Sequence, residues 1–227
     1  MLIKAEKVLS TTQVKEIRKI LESSQWVDGK VTAGIQSSQT KNNLQIPEDS
    51  DTASQLQQIL LPALAQHPVF NAAALPLRVY PPLFNRYNEG MSFGAHIDNA
   101  VRFIQSAGLR IRTDVSSTLF LSDPDEYEGG ELVIQDTYGE QCIKFEAGDM
   151  VVYSANSLHR VNPVTRGTRW ASFFWSQSMV KDDGQRRTLF DLDQSIMKAR
   201  AELGESHDIV LSLTGVYHNL LRQWTEL

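Results

Sequence analysis

His96-Ile-Asp98, then His159, then Arg169 ten residues later, are the residues of this chain whose types and spacing point to chemistry. Two imidazoles and one carboxylate can occupy one face of an octahedral metal and leave three positions open, the facial triad of non-haem Fe(II) oxygenases. Arg169 is a permanent cation whose planar fork can hold a carboxylate through two parallel hydrogen bonds. Iron ligands together with a carboxylate clamp suggest 2-oxoglutarate as co-substrate and O2 as oxidant. Zinc accounts for the ligands but leaves Arg169 without a task. The chain contains no HExxH motif, and no Ser-His-Asp order, paired catalytic carboxylates or Gly-rich phosphate loop stands out.

The spacing sets demands on the fold. On a strand, residues i and i+2 point to the same side, so His96 and Asp98 can reach one ion. His159 must then come from another strand. An H-x-D tripeptide alone is common, and a surface hydrogen-bonded pair would explain it. The complete series with the distant His and the Arg is what carries specificity. His67 beside Pro68 reads as a helix-end cap or an exposed side chain, and His207 and His218 have no ligand-spaced partner.

The elements follow from periodicity. Residues 10–23 form an amphipathic helix with Ser10, Thr11 or Thr12 as cap and Val14, Ile17, Ile20 and Leu21 as its stripe. Residues 28–51 are polar and read as a long loop or weak strands. Residues 52–66 suggest a second helix with Pro62 as a kink. After Pro76 come candidate strands at 77–80, 83–87, 115–121, 131–135, 141–145, 150–154, 159–161 and 170–177, punctuated by turn signals such as Glu128-Gly129-Gly130 and Ala147-Gly148-Asp149. So many short strands point to a sandwich or jelly roll. Residues 189–203 and 209–221 read as two closing helices. The expected organisation is an α+β chain with a mainly β core. A helical and loop region at 1–77 packs on a jelly roll at 78–178, and a helical extension follows at 179–227.

Composition narrows the class. The 227 residues carry a net charge of −5 and are 41% hydrophobic, enough for a substantial core and unlike a general nucleic-acid binder. Cys142 is the single cysteine, so no internal disulfide forms. Lys4, Glu6 and Lys7 interrupt the opening segment where a signal peptide is apolar, and no apolar run is long enough to span a bilayer. The expectation is a soluble, cytoplasmic protein with no membrane partner.

Arg86-Tyr87-Asn88-Glu89-Gly90-Met91-Ser92-Phe93, His96-x-Asp98, Glu128-Gly129-Gly130-Glu131-Leu132, Gly148-Asp149-Met150-Val151-Val152-Tyr153, Leu158-His159-Arg160-Val161 and Gly167-Thr168-Arg169-Trp170 resemble the Fe(II)- and 2-oxoglutarate-dependent dioxygenases of the prolyl 4-hydroxylase type, and most closely the bacterial PKHD-type hydroxylases. The resemblance implies a double-stranded β-helix with helices around it. It implies Fe(II), 2-oxoglutarate and O2, with L-ascorbate as a reductant. Iron falls on His96, Asp98 and His159, and the distal carboxylate of 2-oxoglutarate on Arg169, where prolyl hydroxylases proper usually carry Lys. Tyr87 matches a family tyrosine that can donate to the co-substrate; core packing explains it almost as well. Trp175 reads as core. It stands six residues past the clamp, where AlkB-like nucleic-acid demethylases carry a second arginine.

The activity expected from the resemblance is hydroxylation of a C–H bond coupled to conversion of 2-oxoglutarate into succinate and CO2. The alternatives are a non-catalytic iron or 2-oxoglutarate sensor and an AlkB-like demethylase. The substrate, a small molecule or a peptidyl side chain, is not specified by these motifs. A homo-oligomer through the C-terminal helices is a further expectation. Residues 99–114 carry Arg102, Arg110 and Arg112 and are expected either to cover the iron as a mobile lid, meeting an anionic part of the substrate, or to form an ordinary solvated loop.

Overall fold

The computed structural model describes residues 1–32, 34 and 37–227. The N-terminal part runs β1 (Leu2–Ala5), α1 (Thr11–Glu22), β2 (Val27–Asp28), β3 (Lys41–Asn42), β4 (Leu44–Gln45), α2 (Asp51–Gln66) and α3 (Pro68–Ala74). The central part follows as β5 (Pro76–Val79), β6 (Leu83–Tyr87), β7 (Ser92–His96), β8 (Val101–Ile104), β9 (Leu109–Arg112), β10 (Val115–Phe120), β11 (Tyr127–Gly129) and β12 (Leu132–Asp136). Then come β13 (Gly139–Ile143), β14 (Met150–Ser154), β15 (His159–Val161), β16 (Val164–Gly167), β17 (Arg169–Ser178), α4 (Asp183–Leu203) and α5 (Asp208–Trp224).

Two antiparallel sheets form the core. The larger runs β1-β14-β10-β17-β6-β4-β2, with β5 also on β17, and the smaller runs β13-β12-β15-β7-β3. Strand alternation sorts the side chains. On β14, Met150 and Val152 join the cluster that includes Ile17 and Leu21 of α1 and Leu56 and Leu60 of α2. Val151 and Tyr153 belong instead to the cluster with Leu132, Ile134 and Val161 of the smaller sheet. Helices thus cover one face of the larger sheet, and the other face meets the smaller sheet. α4 closes the end through Leu189, packed with Leu75 and Val180 and covered by Tyr217, Leu221 and Trp224 of α5.

Local signals account for the helix ends. Ser10 caps α1 in a reciprocal box with Gln13. His67 serves twice, closing α2 and accepting from Phe70 N at the start of α3, a short helix not among the elements expected from periodicity. His207 likewise caps α5. Pro62 sits within α2.

Four parts of the chain take a more definite form than the sequence indicates. Of the polar segment 28–51, residues 33, 35 and 36 lie outside the described residues, and the remainder supplies β2, β3 and β4 to both sheets. The N-terminal region therefore adds strands, β1 included, as well as helices. Residues 99–114 are not a bare loop: β8 and β9 form a hairpin packed through Ile104 and Ile111 against Tyr80, Leu83 and Trp175. Glu128-Gly129-Gly130, a turn signal in the sequence, carries the register shift of a bulge between Glu128 and Gly129, where β11 pairs β16. Both its glycines have positive φ, 67° and 64°, as their residue type suggests.

Candidate active site

β7 and β15 lie side by side, and their register places His96 opposite His159. That single pairing joins residues distant in sequence. His96 is the last residue of its strand, and Asp98 follows just beyond it. Ligand atoms of His96, Asp98 and His159 all lie within 4.8 Å of one another. Each ring turns Nδ1 to a carbonyl two residues upstream: His96 to Gly94 O at 2.8 Å and His159 to Ser157 O at 3.0 Å. A proton held on Nδ1 leaves the Nε2 lone pair free, the tautomer a metal requires. Burial, and then the neighbouring His159, push the pKa of His96 down to about 4, so the ring is neutral at pH 7. Ser116 donates to Asp98 Oδ2 at 2.6 Å and fixes the carboxylate rotamer.

Arg169 opens β17 and pairs in register with Tyr87 of β6. It is 1% exposed, yet its Nε and Nη2 have no hydrogen-bond partner among the described residues. Its guanidinium lies over the rings of Tyr87 and Phe120 at 5.4 and 5.3 Å. A buried cation with open donors is costly unless an anion completes it. Arg169 lines the same cavity as the His-Asp-His cluster. Tyr87 also lines it, 1% exposed, with burial pushing its phenol up to about 12, so it remains a proton donor at neutral pH.

The structure therefore gathers all five singled-out residues, His96, Asp98, His159, Arg169 and Tyr87, around one cavity. Thr168 and Ser172 turn elsewhere, to Asn88 Oδ1 and Leu83 O. Trp175 is core, as expected, but it also walls the cavity. Of the three loop arginines only Arg102 reaches the cavity: Arg112 is tied to Asp114 at 2.6 Å, and Arg110 lies over Phe103.

Comparison with known proteins decides the family. Residues 82–177 match the 2OG-Fe(II) oxygenase superfamily, and residues 183–226 match the PKHD-type hydroxylase C-terminal domain. A PKHD-type hydroxylase of Gluconobacter oxydans is 62% identical over the full length of both chains. The chain belongs to the PKHD-type hydroxylases. The PKHD-type hydroxylase PiuC of Pseudomonas aeruginosa is 54% identical, again over the full length of both chains. Among solved structures, a Pseudomonas putida prolyl-4-hydroxylase is similar with a TM-score of 0.51 and 20% identity, over 78% of this chain and 92% of that one. The α-ketoglutarate-dependent epimerase SnoN is similar with a TM-score of 0.55 and 17% identity, over 79% and 78%. These likenesses establish the jelly-roll fold. As a PKHD-type hydroxylase, the protein is an Fe(II)- and 2-oxoglutarate-dependent oxygenase.

Among the cavity residues of this PKHD-type hydroxylase that its sequence does not single out are Ser116 and Lys41. Ser116 belongs to a Ser-Ser-Thr run inside an otherwise apolar buried strand, a signal that hydroxyls face something polar. Lys41 lies in the polar segment read as loop or weak strands. It is 4% exposed, and nothing in its local sequence marks it as buried.

Proposed function

We propose that Fe(II) is held by Nε2 of His96, Nε2 of His159 and a carboxylate oxygen of Asp98, and that Arg169 receives the distal carboxylate of 2-oxoglutarate. The observation that carries this reading is the buried Arg169, with two open donors, lining the same cavity as three convergent ligands. Iron supplies oxygen activation, coupling the conversion of 2-oxoglutarate and O2 to succinate and CO2 with insertion of one oxygen atom into a substrate C–H bond.

The chain's own side chains have distinct tasks. The Nδ1–H bonds to Gly94 O and Ser157 O keep both rings in the metal-binding tautomer and orientation. The Ser116 hydroxyl holds Asp98 toward the same point. Arg169 sets the depth of the co-substrate, and Tyr87 donates to it from the neighbouring strand. Phe93, stacked on His96 at 3.6 Å, together with Phe173 and Trp175, excludes water around the reacting atoms.

L-Ascorbate fits this chemistry as a reductant that returns iron to the ferrous state. The exposed, unpaired Cys142 accords with a reducing compartment, the cytoplasm. Among the described residues no helix is long and apolar enough to cross a membrane. α5 leaves Ile209 and Val216, seven residues apart and so on one side of the helix, exposed, a surface suited to self-association. The substrate side of the cavity suits a small molecule or a peptidyl side chain better than nucleic acid, given the net charge of −5.

The test is an extract screen for products heavier by one oxygen, with succinate measured in parallel. Product formation that needs both Fe(II) and 2-oxoglutarate, and that is lost on Arg169→Ala, is expected. Turnover independent of either component, or untouched by that substitution, overturns the reading.

A further inference from the structure

Lys41 is the one buried side-chain ammonium among the described residues that line the cavity, and the chemistry above does not use it. It sits on β3, in register with Phe93 of β7, at the edge of the sheet that carries both histidines. Nζ donates to Thr32 Oγ1 at 2.9 Å and, at 3.4 Å, to Gln45 Oε1. An ammonium has three donors, so one is without a partner among the described residues. Nζ also lies over the rings of Phe93 and Phe173, at 5.3 and 5.5 Å. No carboxylate among the described residues forms an ion pair with it, and desolvation pulls its pKa down to about 8.

Arg102 gives the contrast. It reaches the same cavity from β8 but is already matched: Nη2 meets Glu48 Oε1 at 3.3 Å, Nη1 donates to Thr32 O, and the guanidinium stacks on Trp175 and Tyr80. Glu48 neutralises Arg102. On the far side, Arg169 is taken up by the co-substrate in the reading above. Lys41 feels the charges of Asp98, Glu48 and Asp28 but, among the described residues, forms an ion pair with none of them. One ammonium matches a monoanion better than a dianionic phosphate. The surfaces beside it, Ile97, Phe173 and Trp175, are apolar.

We infer that Lys41 receives a carboxylate of the substrate, so that the enzyme hydroxylates a monocarboxylate whose apolar body lies along Phe173 and Trp175 toward the metal ligands. The inference rests on the proposed function, because it needs the co-substrate to occupy Arg169. It makes Lys41 a specificity-determining residue. The ammonium pre-pays its desolvation within the fold, and an anion restores what burial removed.

The test uses the full-length protein, loaded anaerobically with Fe(II) and 2-oxoglutarate. The probes are a panel of aliphatic and aromatic monocarboxylates, each beside its own methyl ester, and binding is read by ligand-observed NMR. Acids are expected to bind the wild type at least about tenfold tighter than their esters, the loss of one charge-assisted hydrogen bond. Lys41→Met keeps the apolar stem against Phe93 and Phe173 and should abolish that preference. Lys41→Arg should restore part of it, and thermal melting of both variants checks their folding. A wild type in which no acid outbinds its ester overturns the proposal, as does a folded Lys41→Met variant that keeps the preference. The visible absorption of the iron–2-oxoglutarate complex separates the two readings. Its absence in the wild type refutes the proposed function itself. Its presence in the wild type with loss only in Lys41→Met moves Lys41 to the co-substrate and refutes the inference alone.

Discussion

At position 116 a serine hydroxyl donates to Asp98 Oδ2 at 2.6 Å and holds the carboxylate in place, with the same oxygen 3.8 Å from His159 Nε2. Ser116→Ala should leave all three ligands in place yet lower Fe(II) affinity about 10–100-fold, the usual cost of losing a partner behind a metal ligand. Anaerobic metal titration measures it, and unchanged affinity removes Ser116 from the site. His96→Ala deletes a ligand outright and should reduce affinity much further in the same titration. At Arg169 the substitution series separates charge from geometry. Arg169→Lys keeps the cation but loses the fork, so 2-oxoglutarate should bind more weakly. Arg169→Ala loses both, costing about 1.5–3 kcal/mol or more. Equal co-substrate binding by wild type and the Ala variant would take the clamp away from Arg169.

Elements set where these side chains can stand. β11 and β16 are short and carry glycines and charged residues, Glu128 pairing with Arg166 at 2.8 Å, so neither announces itself as a strand. β7 reads Ser-Phe-Gly-Ala-His, weak in strand formers, and owes its form to pairing with β15 and β3. By contrast Leu83–Tyr87 and Met150–Ser154 were legible because apolar, β-branched and aromatic residues fill them. Gly129 shows how tightly the bulge is built: a Cβ there would meet Pro163 O at 2.1 Å, and its φ is 67°. Gly129→Ala should therefore destabilise by about 1–3 kcal/mol or more, read as a lower denaturant midpoint with unchanged slope. An equal midpoint would mean that β11 and β16 can part without cost.

For the whole molecule, the cavity makes stability depend on pH. The imidazole of His96 is held near 4 in the metal-free fold against an ordinary 6.5, chiefly by burial. Between those values the unfolded chain binds the extra proton and the native chain does not. Stability is therefore full above about pH 6.5 and is lost as pH falls toward about 4, by on the order of 3 kcal/mol. Denaturant melts of the metal-free protein across that window should show the slope, and His96→Gln should flatten it. A wild-type profile as flat as the variant's would place His96 in water. The ends of the chain join this architecture too: the Met1 ammonium meets Asp183 Oδ2 at 3.1 Å, tying β1 to the start of α4.

The sequence by itself determined the chemistry and most of the periodic elements. Metal ligands and a carboxylate clamp need particular functional groups at particular spacings, and helices and apolar strands announce themselves through side-chain period. Hence His96, Asp98, His159 and Arg169 stand out as candidates by type and spacing, and Tyr87 through the family resemblance. Tertiary structure decided what depends on neighbours distant in sequence. It set His96 against His159 through strand register, turned Ser116 toward Asp98, and folded residues 101–112 into a hairpin. It also buried Lys41, a residue type that local sequence assigns to solvent. The physical reason is the same in each case. Register, burial and desolvation arise only when two sheets close on each other, and a one-dimensional pattern records which residues alternate but not which ones meet.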